Sequence, residues 1–378
     1  MSLPLPLAGV RVLTFEAFGA GPFGSMYLAD LGAEVIKIEN RAQGGDATRG
    51  MGPYFLGEHD SHFFQTFNLN KRSVCLDLKS PEGQTIFRQL VAKSDAVLNN
   101  LRGDQPDKLG LTYTALHECN PRLVCAHLSA YGRDNERRAW PGYDYLMQAE
   151  AGFLHVTGEP GTPPARMGLS IIDYMTGITT ALALVSALFG AARSGLGRDI
   201  DVSLFDVALH QLSYPGTWYL NEKLVTGRAP RSAHPSATPV QLFKTADGWI
   251  FIMCMTEKFW QELLKVIAAP HIAQDPRFAT ASLRREHRDE VRVDHGLGGE
   301  VDFETVLLGL LEAVALANAD GDVIAAVLQV QRMRTPLAAV TEHADSRTLQ
   351  GLLVDVLLRI KLHHGTPGLL CEKKPRIG

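Results

Sequence analysis

The chain has 378 residues, enough for two domains, and its 46% apolar and 21% charged residues are those of a soluble globular protein. A formal charge of −4 leaves no electrostatic footprint for nucleic acid or an anionic membrane. Cys75, Cys119, Cys125, Cys254 and Cys371 are odd in number and lack metal-ligand spacing, which argues against a disulfide scaffold or a metal centre and suits free thiols in the core.

The start, MSLPLPLAG, is uncharged and broken by prolines, unlike a secretory signal, so the expected compartment is the cytoplasm. Val10 to Phe15 is a β-branched, apolar run and reads as a buried strand. Gly19, Gly21 and Gly24 come next, then a helix pattern from Met26 to Leu31 closed by Gly32, then a second strand from Glu34 to Glu39. Glycines, helix and terminal acid at this spacing match a dinucleotide (NAD) fingerprint. Pro22 weakens that match, because it withholds one N–H from a pyrophosphate. The alternative is that the glycines only allow close packing.

Residues 40–66 read as an irregular loop punctuated by Gly44, Gly45, Gly50, Gly52 and Pro53, with Arg41, Asp46 and Arg49 among them. Asn68 to Ser73 lead into a strand at Val74–Leu78, where Lys71 and Arg72 suit either a phosphate or a solvated strand entry. Pro81–Ser94 is an amphipathic helix capped by Ser80. Ala96–Asn99 is a strand, Tyr113–Cys119 a helix and Leu123–Leu128 another strand. This alternation predicts a doubly wound parallel sheet, with the loops after Phe15, Glu39, Asn99 and Leu128 facing one crevice.

Gly142 to Gly177 is a helix-like stretch, a Gly/Pro-rich excursion, and then Asp173 just before an apolar helix, Tyr174–Arg193. That helix is apolar nearly all round and so should be buried, and its most apolar run, Ile178–Ala192, is too short to span a bilayer. By position Asp173 reads either as a helix cap or as a nucleophile whose carboxylate the helix N-terminus steadies. Asp199–Leu204 is a strand and Phe205–Leu220 a helix on which His210 reads as a core residue. From about Asn221 a smaller α/β domain begins, with a hairpin (Val240–Thr245, turn Asp247-Gly248, Trp249–Cys254), a helix at Phe259–Val266 and a turn at Asp275–Phe278.

These residues in this order resemble the family III CoA-transferases, the formyl-CoA and carnitine-CoA transferase type. The matching stretches are Leu7–Leu13 (LAGVRVL), Leu31–Glu39 (LGAEVIKIE), Asn70–Ser73 (NKRS) with Leu76–Lys79 (LDLK), and Asn120–Leu123 (NPRL). Pro141–Asp144 (PGYD), Gln148, Thr157-Gly158, Asp173, Asp199–Leu204 (DIDVSL) and Asp275–Phe278 (DPRF) continue the series. The resemblance implies a Rossmann-like large domain over residues 1–220, a small α/β domain over 221–290, and an interlocked homodimer. It implies transfer of coenzyme A from an acyl-CoA to a free carboxylic acid, with CoA as substrate, no permanently bound cofactor and no metal.

In that family an aspartate carries the acyl group as a mixed anhydride and then CoA as a thioester; the matching residue is Asp173. By the same match Phe18, Gly19, Lys71, Arg72, Asn100, Arg102 and Tyr143 are candidates for the CoA crevice. Lys71, Arg72 and Arg102 would meet phosphates, and Phe18 and Tyr143 would pack near the adenine or thioester. Related α-methylacyl-CoA racemases use a His in a Gly-His-Asp motif. Here Gly142-Tyr143-Asp144 stands in its place, and a tyrosine does not exchange protons near neutral pH as an imidazole does.

Past about Glu290 the resemblance is lost. Residues 291–378 carry plausible helices at Phe303–Val314 and Val323–Val330 but no family landmark, and Met253–Glu257 stands where the family has a glycine-rich loop. Three readings stand: a CoA-transferase using Asp173, an NAD-dependent oxidoreductase built on Gly19, Gly21, Gly24 and Glu39, and a non-catalytic CoA-binding protein with an atypical tail.

Overall fold

The structure, a computed structural model, describes residues 3–293 except 41, 43, 245–248 and 268. The expected helices at 303–314 and 323–330, Arg41, Cys371 and the hairpin turn Asp247-Gly248 lie outside the described residues. The chain divides into two compact units after Pro230.

In chain order the strands of the first unit are β1 (Arg11–Phe15), β2 (Glu34–Glu39), the short antiparallel pair β3 (Phe55–Gly57) and β4 (Asp60–Ser61), β5 (Lys71–Cys75), β6 (Ala96–Asn99), β7 (Val124–Ser129) and β8 (Arg198–Ser203). Its helices are α1 (Ala20–Asp30), α2 (His62–Asn68), α3 (Pro81–Val91), α4 (Gln105–Leu109), α5 (Tyr113–Leu116), α6 (Asp144–Glu150), α7 (Phe153–Val156), α8 (Ile171–Ser194), α9 (Leu204–Gln211) and α10 (Ser213–Glu222). Six strands form one parallel sheet in the order β5-β2-β1-β6-β7-β8. Val12 lies opposite Val35 and Ala96, and Ala96 opposite Val124. This is the doubly wound order of Rossmann folds, in which the chain runs out one way from β1 and resumes on its other side at β6.

Both faces of the sheet are covered, which is why its central strands are apolar rather than alternating. On one face Val12, Val35, Leu98 and Ala126 pack with Leu28 of α1 and Leu184 of α8. On the other, Leu13, Val97 and Cys125 pack with Phe87 of α3, Leu111 and Leu116.

Several elements differ from their expected bounds, each for a tertiary reason. α1 starts at Ala20, so Gly21, Pro22 and Gly24 lie inside the helix rather than in a loop before it. α8 has 24 residues and starts at Ile171, three before the expected Tyr174. By length and composition α8 is the one helix among the described residues apolar enough to cross a membrane. Its Leu184, Ala187 and Ala191 are nonetheless core residues of the sheet layer. Contrary to expectation it is not buried all round: Ile178, Leu182 and Phe189 face outward. The expected helix at 205–220 is two, α9 and α10, and His210 is exposed because α9 packs through Leu204, Val207 and Ala208. Cys75 is exposed, while Cys125 is the fully buried thiol among the described ones.

In the second unit β9 (Val240–Lys244) and β10 (Trp249–Met253) pair antiparallel, and Met253 faces Val240 at the end of the ladder. Met253–Glu257 turns from β10 into α11 (Glu257–Val266), capped by Thr256; α12 (Pro270–Gln274), α13 (Ala281–Glu286) and α14 (Arg288–Val293) complete it. Phe243, Ile250, Trp260, Leu263 and Phe278 form its core. Arg284 is buried there, paired with Glu257 at 2.8 Å and lying 4.9 Å from the Trp260 ring centroid.

Candidate active site

Ligands of doubly wound sheets sit beyond the carboxyl ends of the strands, where the strand order reverses. Here that point lies between β1 and β6. A cavity of about 470 Å³ opens there, lined by Glu16, Ala17 and Phe18 after β1, Asn40 after β2, Lys79 beyond β5, and Asn100 to Arg102 after β6. A second cavity of about 180 Å³ shares Ala17, Phe18, Asn100, Leu101 and Arg102 with the first and adds Gly19, Trp140, Tyr143 and Asp173. The two spaces adjoin along the turn after β1.

Asp173 is the third residue of α8, not its cap. The cap comes from Asp144 on α6. Asp144 Oδ2 accepts the N–H of Ile172 at 2.6 Å and of Asp173 at 3.0 Å, and its Oδ1 accepts from Gln148 Nε2 at 2.5 Å. Gln148 in turn holds the Gly/Pro-rich excursion, accepting from Met167 N–H and donating to Leu169 O. Two of the free amides that open α8 are therefore already occupied by an anion. Burial, and then the charge of Asp144, push the Asp173 carboxyl up to about 7. The expectation that the helix N-terminus would steady an ionised Asp173 is thus corrected, since that potential is spent on Asp144.

The three glycines of the expected fingerprint each make room for something else. A Cβ on Gly19 would collide with Asp173 Oδ2, and one on Gly21 would lie 2.9 Å from Asn100 Cβ. A Cβ on Gly24 would lie 2.5 Å from Gly177 O, and one on Gly177 2.5 Å from Ala20 O, so α1 and α8 pack backbone to backbone. Glu39, the acid expected on a ribose, is used internally. It takes a two-pronged bond from Arg49 (2.9 and 2.6 Å), a bond from Ser73 Oγ at 2.5 Å and one from Asp46 N–H at 2.9 Å. Burial opposes its ionisation, but these bonds outweigh it and bring the carboxyl down to about 2. The NAD reading loses both its glycines and its acid.

The sequence matches the CoA-transferase family III model over residues 7–333. The chain belongs to CoA-transferase family III. That match extends past residue 290, where the motifs alone lose it. A succinate–glutarate CoA-transferase from Agrobacterium fabrum is 37% identical over 295 residues, covering 76% of this chain and 72% of the relative. A human succinyl-CoA:glutarate CoA-transferase is 32% identical over 286 residues, covering 76% and 65%. A CaiB/BaiF family protein from Brucella suis shares the fold with a TM-score of 0.70 at 32% identity, over 83% of this chain and 82% of that one. By family the chain is a CoA-transferase enzyme.

For a family III chain, the candidate residues divide. Phe18, Gly19, Asn100, Arg102, Tyr143 and Asp173 all line the Asp173 cavity. Phe18 holds a left-handed φ of 64°, and its ring meets Tyr143 edge-on at 5.8 Å between centroids. Arg102 is half-exposed, with Asp104 3.4 Å away.

Lys71 and Arg72 do not join them, and the phosphate reading is corrected for both. The Lys71 ammonium is buried on Glu16 Oε1 at 2.9 Å and Pro22 O at 2.8 Å. Arg72 donates to Glu34, the first residue of β2, at 2.8 Å, which turns it toward the opposite end of the strands. Beside Arg102, the cation that lines the larger cavity is Lys79, exposed and without an ion-pair partner among the described residues. Asp144 was equally visible, in the PGYD stretch, but nothing local marks it as the cap of a helix starting at residue 171.

Proposed function

We propose that the protein moves coenzyme A between acyl-CoA and free carboxylic acids through covalent intermediates on Asp173. The observation that carries this reading is where Asp173 stands: a carboxyl group in a small cavity beside the topological switch point, with Gly19 placing no side chain against its Oδ2. The larger cavity, with Lys79 and Arg102, suits the phosphates and adenosine of CoA, and the smaller one the thioester. Succinate and glutarate are the first acid pair to test, because relatives carry those names.

In the first step a carboxylate oxygen of Asp173 attacks the thioester carbonyl. The C–S bond breaks, CoA leaves as thiolate, and a mixed anhydride remains on Asp173. The thiolate then attacks the Asp173 carbonyl, releasing the donor acid as carboxylate and leaving CoA as an aspartyl thioester. The acceptor carboxylate attacks that thioester, and the freed thiolate completes the exchange on the acceptor's acyl carbon. Each step trades one anion for another, so no proton, metal or permanent cofactor is required.

A homodimer, a cytoplasmic setting and the division into a large domain (1–220), a small one (221–290) and a distinct tail (291–378) belong to the same proposal. The outward apolar residues Ile178, Leu182 and Phe189 of α8 support a protein partner of that kind. The test is mass spectrometry of the intact chain after incubation with succinyl-CoA. An adduct confined to the peptide holding Asp173, and lost in Asp173→Ala along with turnover, is the expected result. CoA binding without adduct or transfer across a panel of acids would leave a non-catalytic CoA-binding protein.

A further inference from the structure

Asn100 is the first residue beyond β6, and its backbone N–H donates to Phe15 O at 3.2 Å. Its side chain turns to the next part of the same turn. Oδ1 accepts the N–H of Ala17 at 3.0 Å, and Nδ2 donates to Ala17 O at 2.7 Å. One carboxamide thus satisfies both backbone groups of a residue 83 positions away, as a neighbouring strand would. The pairing fixes the orientation of the amide, because a flipped one would set donor against donor and acceptor against acceptor.

Ala17 must be held because of the two residues after it. Phe18 takes φ 64°, a conformation that a bulky residue keeps only when its neighbours are pinned, and Gly19 then abuts Asp173. Gly21 leaves room for the amide, since a Cβ there would lie 2.9 Å from both Asn100 Cβ and Cγ.

We propose that Asn100 is a positioning residue for the transfer reaction: by gripping Ala17 at both ends it holds Phe18 and Gly19 in the turn that sets the approach to Asp173. The proposal rests on Asp173 being the nucleophile. It gives the Asn100 side chain a part other than the expected contact with CoA, because its Oδ1 and one Nδ2 hydrogen are engaged with Ala17.

Two full-length variants test it. Asn100→Ala removes the grip. Asn100→Asp keeps the shape and the bond from Ala17 N–H but sets an acceptor against Ala17 O, and so serves if the alanine variant does not fold. Hydrogen exchange of the free protein should quicken in the segment 16–23 and stay unchanged over β6, β7 and α3. At saturating succinyl-CoA, adduct formation on Asp173 should slow on the order of 100-fold while the Kd for CoA stays within about twofold.

Unchanged exchange over 16–23 overturns the proposal. So does a weakened Kd that accounts for the whole loss, with the saturated rate intact, for Asn100 is then a ligand contact. Faster exchange in the variants together with wild-type turnover that leaves no Asp173 adduct marks a different failure, that of the nucleophile itself.

Discussion

Asp144 caps the helix that carries Asp173, accepting the N–H of Asp173 itself at 3.0 Å. The two carboxyl groups therefore compete for one positive potential, and Asp144 takes it. Burial and the Asp144 charge push Asp173 up to about 7, while burial also raises Asp144 above its ordinary range. A carboxyl poised near neutrality is a stronger nucleophile when ionised than an ordinary aspartate, and it is ionised in only part of the molecules at pH 7.

This sets the pH profile of the first half-reaction. Adduct formation by the wild type should rise with pH and level off above about 7. Asp144→Asn keeps an oxygen for the two amides and removes the charge, so the inflection should move to lower pH. Single-turnover rates with succinyl-CoA from about pH 5 to about pH 9 measure it. An inflection that stays in place would remove Asp144 as a source of the shift.

The same shift bears on stability, with a definite sign. The folded pKa of Asp173 lies above its ordinary 3.8, so between 3.8 and about 7 the folded chain holds a proton that the unfolded chain has lost. Stability from this group falls as pH rises through that window and is level beyond it. Asp173→Asn carries no such penalty. Its melting temperature relative to wild type should therefore climb from about pH 4 to about pH 7 and then stay level. A difference independent of pH would contradict the raised pKa.

Gly19 gives a test that leaves the charges alone. Gly19→Ala places a methyl group against Asp173 Oδ2, at the N-cap of α1 where φ is −100° and an alanine is unstrained. The carboxylate tip gives way more easily than the backbone, so melting should change little, within about 1 kcal/mol. Adduct formation should fall on the order of 100-fold, since Asp173 no longer points along its approach. Gly24→Ala makes the converse case: its methyl meets the Gly177 carbonyl, so it should destabilise by about 1–3 kcal/mol through α1 and α8.

Much of this was legible in the sequence. β2 and β6 fall on the expected residues, because β-branched and apolar runs bounded by loop residues signal buried parallel strands wherever they stand. The start of α1 was hidden, since glycines placed for contact with α8 and Asn100 read as a loop by propensity. The start of α8 was hidden because its cap is supplied from 28 residues upstream by Asp144 rather than by Ser170. Lys71 misled for a related reason: nothing in a run of residues distinguishes a lysine facing a ligand from one committed to an acid 55 positions earlier.

That distinction can be measured, with two lysines trading their expected parts. Burial opposes ionisation of Glu16, but the charges of Lys71 and Lys37 outweigh it and hold its carboxyl below the usual range. Lys71→Met removes the nearer charge from a fully enclosed pair whose side chains are 2% and 0% exposed. Breaking this buried ion pair should cost up to about 3–5 kcal/mol, with Lys37 still offsetting part of the Glu16 charge, read as a fall in urea midpoint at unchanged slope. Whatever fraction remains folded should bind CoA with nearly the wild-type Kd. Lys79→Ala should do the opposite. Its side chain stands exposed at the larger cavity with no acid to strand, so stability should change by less than about 0.5 kcal/mol. Losing one charge-assisted contact to a phosphate should weaken CoA on the order of tenfold, and added salt should narrow the gap between variant and wild type. If Lys71→Met weakens CoA as much as Lys79→Ala while leaving the urea midpoint in place, the ammonium of Lys71 is on the ligand and not on Glu16.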